Sequence, residues 1–136
     1  MCNPGLYALA DKAVTTAVNE AQSPIVDLEG MTAVTVQARL AYGSGGTSAK
    51  VYVQTSLDQG TTWVDVACLA FSTAGAAKIV NLSGLTPKPT PAAPTDGALA
   101  DDTTVDGLLG DRLRAKIVTT GTYGGSTVVT VRAAVR

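Results

Sequence analysis

Histidine is missing altogether from these 136 residues, which removes at once the commonest general base near neutral pH and the commonest metal ligand. Cysteine is nearly missing: Cys2 stands at the chain start and Cys68 inside an apolar run, with no CxxC or metal-ligand spacing. Cys68 therefore reads as a small buried apolar residue, and neither a metal nor a cofactor is expected. Aromatics are scarce, with one Trp, four Tyr and one Phe, which leaves few platforms for stacking sugars or bases. Charged residues make up only 15%, the net charge is -1 and no long basic run occurs, so nucleic acid is not an expected partner. No stretch approaches the ~18 uninterrupted apolar residues of a membrane span, and the N-terminus has no basic region followed by an apolar block. Neither a membrane segment nor a secretory leader is expected.

What the chain does have is Val and Thr in abundance, with Leu, Glu and Lys too sparse to write amphipathic helices. Period-2 alternation locates the strands. In Ala33–Ala41, Val34, Val36, Ala38 and Leu40 point one way and Thr35, Gln37 and Arg39 the other. After the turn Tyr42–Thr47, Val51, Val53 and Thr55 oppose Lys50, Tyr52 and Gln54. Thr62–Phe71 sets Val64, Val66, Cys68 and Ala70 against Trp63, Asp65, Ala67 and Leu69, so both faces are partly apolar and the strand is read as central. Ala76–Leu82 is a short strand, and Arg112–Thr119 followed by the glycine-rich Gly121–Gly125 and Val128–Val135 reads as a C-terminal hairpin. The first dozen residues have weak periodicity and are expected as an arm. The organisation is thus residues 1–23 as N-terminal arm and first strand, and residues 24–136 as one all-β antiparallel sandwich of about seven or eight strands. Its topology is immunoglobulin-like or jelly-roll.

One excursion interrupts it. Residues 86–110 carry Pro87, Pro89, Pro91 and Pro94, then Asp96, Asp101, Asp102 and Asp106. Proline at that density favours extended polyproline-like chain, and a segment this long inside a compact domain is usually functional or disordered. Arg112, Arg114 and Lys116 share one face of one strand, which Arg132 in the following strand would join if that face is exposed. That stripe is either a solvated face or a docking face for an acidic surface. The prolines, the aspartates and the stripe make up the candidate interface, and the loop and the N-terminal arm are expected to be ordered mainly by contacts with other subunits. Asp101, Asp102 and Asp106 lack the glycine turn and distal glutamate of a calcium loop. The serines lack a base and a G-x-S-x-G elbow, so no catalytic residue is assigned and no enzyme is expected.

Ser56-Leu57-Asp58-Gln59-Gly60-Thr61-Thr62-Trp63 matches the pattern S-x-D-x-G-x-T-W, the Asp-box. Its physics is that of a folded turn: side-chain oxygens accept backbone N–H groups, Gly60 permits positive φ and the Trp ring covers the turn. Ser56, Asp58, Gly60, Thr62 and Trp63 are therefore read as structural, with Trp63 largely buried.

With the Asp-box, Val34-Thr35-Val36, Val51-Tyr52-Val53-Gln54-Thr55, Leu113-Arg114-Ala115-Lys116 and the closing Val-rich strand, the chain from about Val26 onward resembles small virion structural proteins of tailed bacteriophages and gene transfer agents. Gln59 stands where proteins of this look often carry a second glycine. The resemblance implies a head decoration or cement protein, or a head–tail component. It would be assembled into the virion in the host cytoplasm, as a homo-oligomer, on the major capsid protein or head–tail proteins. A carbohydrate-binding or host-adhesion module is the alternative.

Overall fold

The computed structural model describes residues 4–136; Cys2 lies outside them. Strands and turns account for all the regular structure of the described residues. Seven strands have eight or nine residues: β1 (Gly5–Ala13), β3 (Ala33–Ala41), β5 (Ser48–Ser56), β6 (Val64–Phe71), β7 (Ala76–Ser83), β9 (Arg112–Thr120) and β11 (Val128–Val135). Four short pieces complete the set: β2 (Asn19–Ala21), β4 (Ser44–Gly45), β8 (Thr103–Thr104) and β10 (Tyr123–Gly124). All pairings are antiparallel.

Two sheets form the sandwich. Sheet I runs β1-β11-β3-β7, sheet II runs β2-β9-β5-β6-β8, and β4 pairs β10 at one end. Leaving aside the pieces β4, β8 and β10, the chain enters the sheets in the order I, II, I, II, II, I, II, I. That interleaving, with β11 between β1 and β3 and β9 between β2 and β5, is the jelly-roll order. It corrects the C-terminal hairpin: β9 and β11 lie in different sheets, β9 beside β5 and β11 beside β3. It also separates Arg132 from Arg112, Arg114 and Lys116. Arg132 stands on sheet I, 3.7 Å from Asp11.

The alternation read from the sequence puts Val34, Val36, Ala38 and Leu40 of β3 in the core with Val51 and Val53 of β5, Leu113, Ala115 and Ile117 of β9, and Val129, Val131 and Ala133 of β11. Residues 5–13 correct the expected arm. They pair with β11 from Gly5↔Val135 to Ala13↔Val128 and bury Leu9 and Ala10. Periodicity is weak there because a bulge interrupts the register between Ala8 and Ala10. In β6 a second irregularity matters more: Val53 faces Ala67 but Gln54 faces Asp65, so Val66 is the extra residue. Simple alternation groups Asp65 with Ala67 and Leu69; the bulge instead turns it to the outer face of sheet II, beside Gln54.

Sheet I has two open edges, and each carries an inward-facing lysine. Lys12 on β1 lies opposite the buried Val129 and reaches Glu20 of β2 at 3.2 Å. Lys78 on β7 lies opposite the buried Ala38 and reaches Asp102 at 2.9 Å. Inward charges and edge bulges oppose pairing with a further strand. The edges of sheet II are the short β2 and β8.

Candidate interaction site

The Asp-box closes the β5–β6 hairpin. Ser56 is buried, and its Oγ accepts the N–H of Gly60 (2.7 Å) and of Asp58 (3.4 Å), while its hydroxyl donates to Asp58 Oδ1 (2.9 Å). Asp58 accepts the Thr62 N–H at 2.8 Å and the Thr62 hydroxyl. The Thr62 hydroxyl and then its N–H hold the Asp58 carboxyl below the ordinary range, and the carboxylate caps the turn. Gly60 takes φ +89°, which glycine alone adopts freely, and Gln59 takes φ +59° as well. Trp63 is half-buried, not largely buried as expected, because its ring lies on the outer face of sheet II, where the Arg114 guanidinium sits 4.3 Å from its centroid.

From that face the anchoring of the excursion is built. Asp65 is only 2% exposed. Its carboxylate accepts the N–H groups of Gly97 (2.8 Å), Ala98 (3.0 Å) and Leu99 (3.2 Å), the Thr95 hydroxyl (2.9 Å) and Gln54 Nε2 (2.8 Å). A buried carboxylate is stable only when so satisfied. Gln54, wholly buried, donates also to Asp96 (2.6 Å) and accepts from Arg114 Nε (2.7 Å).

The loop aspartates find partners in their own chain, which corrects the expectation that the loop is ordered mainly by other subunits. Asp96 lies 3.2 Å from Lys116 Nζ and 3.8 Å from Arg114. Partial burial works to raise its pKa, but the hydrogen bonds from Gln54 and Lys116 and the charges of Lys116 and Arg114 bring it below the ordinary value. Asp101 pairs with Lys50 at 2.8 Å. Asp102 takes both Lys78 (2.9 and 3.0 Å) and the Ala70 N–H (3.1 Å), and Lys78 above all lowers its pKa. Asp106 accepts the Ser83 N–H (2.6 Å) and the Thr86 hydroxyl (2.9 Å), which depress it likewise. Arg112 stands apart from the loop, 3.6 Å from Asp111.

The basic stripe is thus largely covered by the loop, while Pro87, Pro89, Pro91 and Pro94 remain exposed. Sequence reasoning missed Gln54, Asp65, Lys50 and Lys78. The available signal was a carboxylate and an amide inside otherwise apolar strand runs, groups that must be paired once buried. Two grooves flank the proline segment. One, of about 440 Å³, is lined by Thr61, Thr62, Trp63, Val64, Pro94, Thr95 and Asp96. The other, of about 410 Å³, lies between Leu57, Val64 and Leu108 on one side and Lys88, Pro91, Ala92 and Pro94 on the other. Among the described residues no group of three acidic or thiol side chains is placed to hold a metal ion, and no helix is long and apolar enough to cross a membrane. Compared with known proteins, the chain matches no family model, no curated protein and no solved structure.

Proposed function

We propose that this chain is a structural component of a virion, a non-enzymatic head decoration or head-associated protein that binds neighbouring shell subunits as a homo-oligomer. The observation that carries the reading is the interleaved eight-strand order, since jelly rolls of this kind recur in viral capsid and lectin domains. The resemblance of the Asp-box and the β-strand motifs to small phage structural proteins points the same way. The interface assigned to the partner is the exposed proline face of residues 87–94, because the aspartates and most of the basic stripe are engaged within the chain. A preordered surface loses less conformational entropy on binding than a loose one. The test is mass spectrometry of purified particles from a host expressing the chain with its neighbouring genes. The chain is expected at a fixed ratio to the major shell protein, and its absence from intact particles would end the proposal.

The Trp63 groove favours a second reading, a carbohydrate-binding or host-adhesion module, because an indole bordered by Thr62, Thr95 and Asp96 combines a stacking surface with hydrogen-bonding groups. Quenching or shifting of Trp63 fluorescence by oligosaccharides would support it. Unchanged emission across a glycan series would remove it.

A further inference from the structure

We infer that the groove between Leu57 and the proline ridge takes an aromatic side chain of a partner protein, with an acidic group beside it. This rests on the reading of the chain as a protein-binding component and assigns the contact point. Leu57 is 67% exposed, and its backbone is fixed on both sides by the hydrogen-bonded Ser56 and Asp58. Facing it, Pro91 and Pro94, three residues apart, both line the groove and form its proline ridge. The excursion that carries them is held by the Asp65 clasp just beyond, at residues 95–99. The Leu57 wall is therefore fixed before anything binds and the proline wall is tethered at its downstream end, which limits the ordering entropy that opposes insertion.

The chemistry of the walls selects the occupant. Val64, Ala92 and Leu108 complete an apolar lining, and flat proline rings are the surfaces that aromatic side chains recognise. Lys88 is the one charged residue in the lining, and no ion pair engages it among the described residues. A carboxylate next to the inserted ring would complement it. A second copy of this chain has no fully exposed ring among its described residues to insert: Tyr52, Phe71 and Tyr123 are buried, and Tyr7, Tyr42 and Trp63 are half-buried, with at most a ring face open. The occupant is accordingly a different protein.

The experiment titrates the isolated, nitrogen-15-labelled chain with indole-3-propionate, tryptamine and cyclohexanepropionate while amide shifts are followed by NMR. Saturable shifts are expected at Leu57, Val64, Thr90, Ala92 and Leu108. Indole-3-propionate should bind about threefold more tightly than tryptamine, the scale of one exposed ion pair. Lys88→Ala should erase that difference. Leu57→Ser should weaken binding about fivefold or more through lost apolar contact, with melting unchanged because Leu57 is exposed. Ala92→Lys, which blocks the groove from the loop side, should do the same. The inference is overturned by an absence of saturable shifts at these amides, or by shifts that neither Leu57→Ser nor Ala92→Lys alters. It is overturned equally by cyclohexanepropionate binding as well as its indole counterpart. Probe-free, concentration-dependent broadening at these amides that Leu57→Ser abolishes would assign the groove to a second copy instead. None of these outcomes depends on particle incorporation, so the titration fails or succeeds apart from the virion reading.

Discussion

Asp65 holds more of the excursion than any other side chain, since three consecutive amides, a hydroxyl and a buried amide group all converge on its carboxylate. Asp65→Asn would keep the size but place an NH₂ donor among N–H donors. Hydrogen bonds to a charged acceptor are worth more than neutral ones, and orphaned buried donors cost more still. The expected loss is about 3 kcal/mol in urea unfolding, accompanied by faster amide exchange at residues 97–99. Gln59 presents the opposite case. It holds φ +59° without being glycine, at a cost that a side chain in the left-handed region always bears. Gln59→Gly should stabilise the chain by up to about 1 kcal/mol, the gain being limited by the extra freedom of glycine in the unfolded state. An unchanged urea midpoint would contradict the strain.

The excursion as a whole is an element fastened by carboxylates, and its stability follows their titration. Asp96, Asp102 and Asp106 all have pKa values below their ordinary 3.8. A depressed folded-state pKa means that the stabilisation is fully present above the ordinary value and is lost as pH falls through the folded one. Stability should therefore be level from neutral pH down to about pH 5, then fall below about pH 4, with amides of residues 95–106 losing exchange protection before those of β3 and β11. Simultaneous loss in both regions would contradict a separable latch. Little of this latch could be read in the sequence. Local alternation marks β3 and β5 because Val34, Val36, Ala38 and Leu40, or Val51 and Val53, signal their own face without reference to anything distant. The face of Asp65 was illegible because the bulge residue Val66, between Asp65 and Ala67, is itself apolar, and nothing local distinguishes an apolar bulge residue from an apolar core residue. Sheet membership was hidden for a different reason. A glycine-rich turn such as Gly121–Gly125 can join two strands of one hairpin or carry the chain across to the other sheet, and only packing decides.

At the scale of the molecule, and leaving aside β4, β8 and β10, every passage between successive strands crosses the sandwich except β5 to β6, so neither sheet can form by itself. Non-local pairing of this kind folds in the millisecond-to-second range, long enough for exposed edges to matter. Lys12 and Lys78 guard those edges. Lys78 also holds Asp102, so the clean test is at the other edge: Lys12→Val should leave monomer stability nearly unchanged yet raise aggregation during refolding, measured by light scattering, and a refolding yield equal to the parent would show that Lys12 protects nothing. The Asp65 clasp has a consequence of another kind. It grips main-chain amides, which every residue but proline supplies, so anchorage is indifferent to most side chains on the gripped segment and to all those upstream of it. The exposed run from Pro87 to Ala93 is in effect an exchangeable cartridge on a fixed mount: its sequence can be rewritten to suit a new partner without renegotiating the fold. A variant with residues 87–93 replaced by an unrelated seven-residue segment should melt within a few degrees of the parent and keep slow exchange at residues 97–99.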